Sequence, residues 1–219
     1  VGASSPIPGA ASLLTRALSR GATRVTLLGS RRNNSFTDGG RELFDCAAQG
    51  RIDAFFLGGG QIDGEANVNL VGSGDYPRSD IRFPGTFGSA FLYFMVPRVI
   101  LFREEHSPRV FVPKVDFISA PGTSPDNVWR RGGPVALVTG MAAFTFDRGR
   151  RRFRLESVHP GHNADDVTAA TGFEFECRGD VPETLGPTTE MLELIRGPLV
   201  PEIAETYPKF AAKVFTHRE

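Results

Sequence analysis

The sequence predicts a layered α/β fold with a mixed, largely parallel sheet flanked by helices. Three observations carry that prediction. Short apolar runs rich in β-branched and aromatic residues alternate with stretches of helical periodicity, the pattern of strands joined through helices. Two of the runs stop directly at loops: Phe55–Leu57 passes into Gly58–Gly60, and Val99–Phe102 into Arg103–Glu104–Glu105–His106. Open α/β sheets bind ligands at such strand ends, where glycines expose backbone N–H groups. Finally, 219 residues of which 40% are apolar suffice for a sizeable core. The chain reads as a single domain over 1–219 with a peripheral C-terminal tail from 198 to 219.

Taken in order, Val1–Ala3 reads as the tail of a strand and Ser4–Ala10 as a strand-to-helix loop. Between Ala10 and Ser19, residues Ala11, Leu13, Leu14, Ala17 and Leu18 recur at helical spacing, and Gly21 stands where a helix end favours glycine. Arg24–Leu28 is a short β-branched strand, followed by a polar, exposed loop over 30–40. Arg41–Gln49 is a short helix stopped by Gly50, and Ile52–Leu57 a strand. Beyond Gly122, the polar loop 123–133 carries the single tryptophan. Val135–Thr139, Ala142–Asp147 and Phe153–Val158 are strands, with Asp147–Arg152 as a hairpin turn. A helix then follows Asn163, whose side chain suits an N-cap, with Asp165 and Asp166 in its first turn. Pro187–Gly197 carries a last short helix.

Composition removes several function classes. Lys and Arg total 25 against 25 Asp and Glu, so no global basic field points to nucleic acid. No apolar run reaches the roughly 20 residues a membrane helix needs, and VGASSPIPGAA has neither the charged nor the long apolar region of a signal peptide. Cys46 and Cys177 fit no metal-binding spacing, and four scattered histidines suggest no metal site. There is no Ser-His-Asp arrangement, Walker loop or GxGxxG, and a phosphate loop of the sugar-phosphate isomerase kind is also missing. These features describe a cytoplasmic protein with reduced thiols, no metal and no bound cofactor.

The order of motifs resembles the second (β) subunit of the family I CoA-transferases, such as glutaconate and 3-oxoacid CoA-transferases. The likeness runs through SSPIP (Ser4–Pro8), GGGQIDGEANVN (Gly58–Asn69), GDYPRSDIRFPGTFGSA (Gly74–Ala90), KVDFISAPG (Lys114–Gly122), Gly132–Thr139 and His159–Phe175. The resemblance implies a CoA-transferase-type α/β fold and an α partner subunit, with an α2β2 heterotetramer as the assembly. It implies an acyl-CoA substrate, with coenzyme A entering only as part of that substrate. It also implies a further helix and most of a strand ahead of SSPIP. The basic pair Arg31–Arg32 reads as solvated surface, with a contact to CoA phosphates or to a partner subunit as the sharper alternative. In that family a β-subunit glutamate attacks the thioester, while backbone N–H groups of glycine-rich loops stabilise the oxyanion.

The departures from the family pattern carry as much information. The family glutamate falls at Leu28, or with a slip at Gly29 or Ser30, none of which is a carboxylate; the nearest acids along the chain are Asp38 and Glu42. Phe87 replaces a glycine of the family's G-S-G-G loop, and its ring is expected to crowd an approaching thioester. Ala66 also stands where the family has glycine, which predicts an altered turn. A subgroup without the glutamate includes a two-subunit hydrolase of steroid breakdown, and Glu105–Asp116 is similar to a stretch of its β subunit. The resemblance therefore implies hydrolytic ring or C–C cleavage of a cyclic keto-acyl-CoA. Transfer of CoA between carboxylic acids, or a noncatalytic partner of an α subunit, are the alternatives.

The residues expected to act are Gln61, Glu105 and His106 as catalytic groups. Gly58, Gly59, Gly60, Gly85, Thr86, Phe87 and Gly88 are expected to bind substrate. Glu104, Glu105 and His106 sit at a strand end, where neighbouring carboxylates tune a base toward neutral pH, although alternation lets only one of the two glutamates face the site. Asp63 is read as shaping a turn, and Asn67 and Asn69 as holding loop backbone.

Overall fold

The computed structural model describes residues 1–215. Its elements run α1 (Pro6–Leu18), α2 (Gly39–Ala48), β1 (Ala54–Leu57), β2 (Gln61–Ile62), β3 (Val68–Asn69), β4 (Gly72–Ser73), β5 (Ile81–Arg82), α3 (Ser89–Met95), β6 (Arg98–Arg103), β7 (Pro134–Thr139), β8 (Ala142–Asp147), β9 (Arg152–Val158), α4 (Ala164–Ala170), α5 (Thr189–Arg196), α6 (Val200–Thr206) and α7 (Pro208–Phe215). They fall into two compact units, Val1–Thr37 with Leu185–Glu219, and Asp38–Thr184.

The second unit holds the central sheet, in the order β1-β6-β7-β8-β9. The class is the expected mixed α/β one: β1, β6 and β7 pair in parallel, while β7, β8 and β9 pair antiparallel. The change of direction follows from connection length. Only Gly140 and Met141 separate β7 from β8, which permits a hairpin but not the long crossover that a parallel neighbour needs. A side chain at Gly140 would run into the carbonyl of Glu104, so the corner requires glycine. Alternation then sets the faces, with Ala142, Phe144 and Phe146 of β8 buried against Phe153 and Leu155 of β9. The return segment after α4 bonds along the outer edge of β9: Leu155 N–H donates to Glu176 O, Glu176 N–H to Phe153 O, and Thr184 N–H to Val158 O.

Helix α4 starts as its sequence predicts. Asn163 Oδ1 accepts from Asp166 N–H and Asp166 Oδ2 accepts from Asn163 N–H, a reciprocal cap. Helix α3 and the ribbons β2–β3 and β4–β5 were not anticipated, because two-residue strands and a seven-residue helix carry too few periods to register as a pattern.

The first unit departs from its sequence reading in three places. Its first helix begins at Pro6, inside the segment read as a loop; proline is accommodated at the first helical position because its missing N–H is not needed there. Arg24–Leu28 is not a sheet strand; its backbone bonds run from Leu28 N–H to Val1 O, from Val1 N to Thr26 O and from Leu27 N–H to Asn33 O. The segment from 198 is not peripheral. Leu199, Ile203, Tyr207 and Ala211 pack with Ala10, Leu13 and Leu27 as the core of this unit. The first four come from α6, α7 and the turn at Tyr207 between them. Residues 216–219 of the expected tail lie outside the described residues.

Candidate functional site

Strand β1 ends at Leu57, and the chain enters Gly58–Gly60 beside the end of β6. The glycines are required by close packing. A side chain at Gly59 would meet Val68 Cγ1 at 2.7 Å, and one at Gly60 would collide with the ring of Phe83. Not every amide here is bare as expected: Gly60 N–H donates to Asn69 O at 2.8 Å, and Gly85 N–H to Leu70 O at 3.1 Å.

Gln61 follows directly and is 7% exposed. Its Nε2 donates to Asp116 Oδ2 at 3.0 Å, and its Oε1 accepts from Asn69 Nδ2 at 2.7 Å and from Asp116 N–H at 3.0 Å. Asp116 in turn receives Gly74 N–H, and Asn69 binds Gly72 O and the N–H groups of Val71 and Gly72. This carboxamide therefore positions the loop that begins at Gly72, where contact with a reacting atom had been expected. Asn69 acts on backbone as predicted. Asp116 was missed as a site residue although it stands in the KVDFISAPG motif, since a lone acid after Lys114–Val115 has no periodicity of its own to mark it.

The neighbouring turn confirms the roles read for Asp63 and Asn67. Asp63 is buried; its Oδ1 accepts from Glu65 N–H and Asn67 N–H, and its Oδ2 from Asn67 Nδ2. The turn is not rebuilt around Ala66 as expected. Ala66 takes φ = 62°, the left-handed conformation that glycine favours, and its carbonyl accepts the Tyr93 hydroxyl at 2.9 Å. A groove of about 670 Å³ opens beside this turn, walled by Glu65, Lys114, Phe173 and the arginines of the β8–β9 turn. None of the expected catalytic or substrate-binding residues lines it.

Glu105 and His106, expected as catalytic groups, belong to separate hydrogen-bond networks. Glu105 is held by the hydroxyl of Ser107, by Arg109 in a two-pronged contact and by Arg103. The Ser107 hydroxyl and then Arg109 keep its carboxyl below the ordinary range, so it is a poor proton acceptor at neutral pH. His106 Nδ1 lies 2.8 Å from Thr139 Oγ1 and Nε2 2.9 Å from Thr171 Oγ1, while its ring packs on Phe111 with centroids 4.6 Å apart. Both nitrogens are thus engaged. Burial, with His162 nearby, lowers its pKa to about 4.

The segment Gly85–Gly88 presents a different surface. Gly85 has φ = 102° and Phe87 φ = 46°. The Phe87 ring is 73% exposed and tilts against Phe44 at a centroid distance of 5.5 Å; Phe44 meets Phe91 edge-on at 5.7 Å. A side chain at Gly88 would collide with the Phe44 ring, so this glycine keeps the loop tight on α2. Thr86 closes the loop by accepting Ser89 N–H on its carbonyl at 2.9 Å.

In the other unit, the turn after Arg24–Leu28 contains no carboxylate of its own but receives one. Ser30, buried, donates from Oγ to Glu205 Oε2 at 2.6 Å and accepts from the N–H groups of Arg32 and Asn33. Arg31 N–H donates to Glu205 Oε1. The Ser30 hydroxyl and then the Arg31 amide lower the Glu205 pKa. Neither Asp38 nor Glu42 provides this carboxylate; it comes from helix α6, more than 170 residues along the chain, a separation that nothing local in the sequence signals. Among the described residues no group of three or more His, Cys, Asp or Glu side chains could hold a metal ion, and no helix is long and apolar enough to cross a membrane.

Mixed-sheet topology, a glycine-ended β1 and a glycine-rich loop before α3 define a layered α/β protein. Residues 11–170 match the family model described as Coenzyme A transferase, and the chain belongs to that family. It is 33% identical over 153 residues to a 3-oxoadipate CoA-transferase subunit of Pseudomonas knackmussii, covering 67% of this chain and 58% of the relative. It is likewise 33% identical over 165 residues to the cholesterol ring-cleaving hydrolase IpdB subunit of Rhodococcus jostii, covering 74% of this chain and 64% of that one. The matched stretches thus span somewhat over half the length of these relatives. Among solved structures, the decarboxylase AibA/AibB superimposes with a TM-score of 0.73 and 26% identity, covering 88% of this chain and 83% of the other.

Proposed function

We propose that the chain is the β-type half of an acyl-CoA-processing enzyme that cleaves a C–C bond hydrolytically, opening a ring of a cyclic keto-acyl-CoA, rather than transferring CoA. The carrying observation is the turn after Arg24–Leu28. Where the resemblance calls for a nucleophilic glutamate there are Leu28, Gly29 and Ser30, and the Ser30 hydroxyl is buried and occupied on both sides by Glu205 and two backbone N–H groups. None of Leu28, Gly29 and Ser30 is a carboxylate, so none can form the acyl anhydride through which a glutamate passes CoA on. The 33% identity to a subunit of a ring-cleaving hydrolase supports the same reading.

In this reaction a base on the α partner takes a proton from water, and the water oxygen bonds to the ring carbonyl carbon. The adjacent C–C bond breaks, and the released carbon takes up a proton. The chain supplies the glycine loops that receive the thioester, with Gln61 positioning the loop at Gly72–Gly74 through Asp116 and Asn69. An α2β2 assembly in the cytoplasm is the setting this reading implies.

A second reading, CoA transfer, is favoured by Glu205, whose carboxylate stands at the same turn. Three donors, the hydroxyls of Ser30 and Thr206 and the Arg31 amide, reduce its nucleophilicity. Intact mass of each polypeptide after mixing the assembly with a cyclic keto-acyl-CoA separates the two. Hydrolysis predicts turnover with no CoA-sized adduct on this chain. An adduct that disappears in Glu205→Gln would establish transfer. Absence of both turnover and adduct would leave a stabilising partner of the α subunit.

A further inference from the structure

The loop Gly85–Ser89 carries two features that stability does not explain. Phe87 holds a left-handed backbone, φ = 46°, which for a bulky side chain is unfavourable. Its ring nonetheless stays 73% exposed, so little burial offsets that cost. Two residues on, Ser89 is 6% exposed, and its Oγ has no hydrogen-bond partner among the described residues. A buried hydroxyl without a partner is costly unless something else completes it. Strain and an incomplete polar group in one loop are marks of a ligand-binding segment.

The surface beside them is aromatic. Phe87, Phe44 and Phe91 form a continuous face through centroid contacts of 5.5 and 5.7 Å, and Phe91 is 41% exposed. Phe83, four residues before Phe87, lays its ring over Gly60, which ties the loop to the triple glycine at the end of β1. Aromatic faces carry negative quadrupole potential and favour apolar contact; they disfavour a carboxylate.

We propose that the Phe44–Phe87–Phe91 face selects the acyl group, taking an uncharged, ring-sized apolar acyl portion. The proposal rests on the reading that a CoA thioester is brought to the glycine loops. It adds which acyl groups are accepted and by which side chains.

The test is equilibrium binding to the chain in the assembly in which it is isolated, using cyclohexanecarbonyl-CoA and succinyl-CoA as probes. The expected preference for the cyclic thioester is about tenfold or more, the scale of discrimination that an apolar pocket supplies. Phe87→Gly, which relieves the backbone while removing the ring, should reduce that ratio to about twofold. Phe91→Ala, on a helix whose backbone needs no change, should move it the same way. Equal binding of the two thioesters by the unaltered protein, or a ratio untouched by both substitutions, overturns the selection proposal while leaving the CoA reading in place. Failure of both thioesters to bind removes the CoA reading, and the proposal with it.

Discussion

Ala66 and Phe87 are both non-glycine residues in the left-handed region, at φ = 62° and 46°, yet their surroundings are opposite. Ala66 is fully buried in a turn where Asp63 and Asn67 bond to each other and to backbone, Tyr93 donates to the Ala66 carbonyl, and Gly122 packs so closely that it could carry no side chain. Phe87 leans on one ring and faces outward, next to a serine whose hydroxyl is incomplete. The first strain is held by the protein's own bonds and therefore reads as architecture. The second is retained without such compensation, and that is the signature of a position kept for what it touches.

Substitutions should separate these two kinds of strain. The largest effect is expected for Asp63→Ala, which orphans the Glu65 and Asn67 amides and the Asn67 carboxamide together. A loss of about 3 kcal/mol follows from several buried polar groups left unpaired, to be read from the urea midpoint at unchanged m-value. A loss under about 1 kcal/mol would dissolve the claim that the turn is held by its bonds.

His106 is another group with both nitrogens partnered, half-buried, and it sharpens the contrast through pH. Its folded pKa of about 4 lies below the ordinary 6.5 because burial disfavours the charged ring. Above pH 6.5 the ring is neutral in both folded and unfolded states and the linked destabilisation is absent. As pH falls from 6.5 towards 4 the unfolded chain gains a proton that the folded one refuses, so stability declines across that window. His106→Gln should flatten that part of the profile in urea titrations made at successive pH values; an unaltered slope would mean the ring protonates freely in place.

The smallest effect belongs to Phe87→Gly. Relief of the left-handed backbone, the greater unfolded-state freedom of glycine and the lost contact with Phe44 are each of order 1 kcal/mol or less and oppose one another. Thermal unfolding should therefore register a net change below about 0.5 kcal/mol. A loss above about 2 kcal/mol would make the ring a structural pin and remove the difference between the two turns.

Much of the architecture was legible in the residues themselves. Phe55–Leu57, Val99–Phe102, Ala142–Asp147 and Phe153–Val158 become strands because β-branched and aromatic runs of that length suit a pleated, half-buried surface. Asn163 caps α4 because its side-chain oxygen meets an otherwise unpaired amide. What escaped was decided at long range. Tyr207 lies against Gly9, where it leaves no room for a side chain, so the helices after 198 became core rather than tail. Glu205 reaches Ser30 across the same unit. For the candidate site, the motif Gly58–Asn69 marked the right region, but the division of labour within it was invisible. Whether a glutamine faces substrate or an aspartate 55 residues away depends on packing, and the same holds for a histidine between two threonines.

The return of the chain along β9 has a consequence for handling the protein. By occupying Phe153, Leu155 and Val158 with backbone bonds, residues 173–184 blunt one rim of the sheet, which would otherwise template strand addition between molecules. Proteolytic nicking or truncation in that stretch should first be felt as loss of colloidal solubility, with concentration-dependent β-rich association, before any change in the chemistry of the opposite rim.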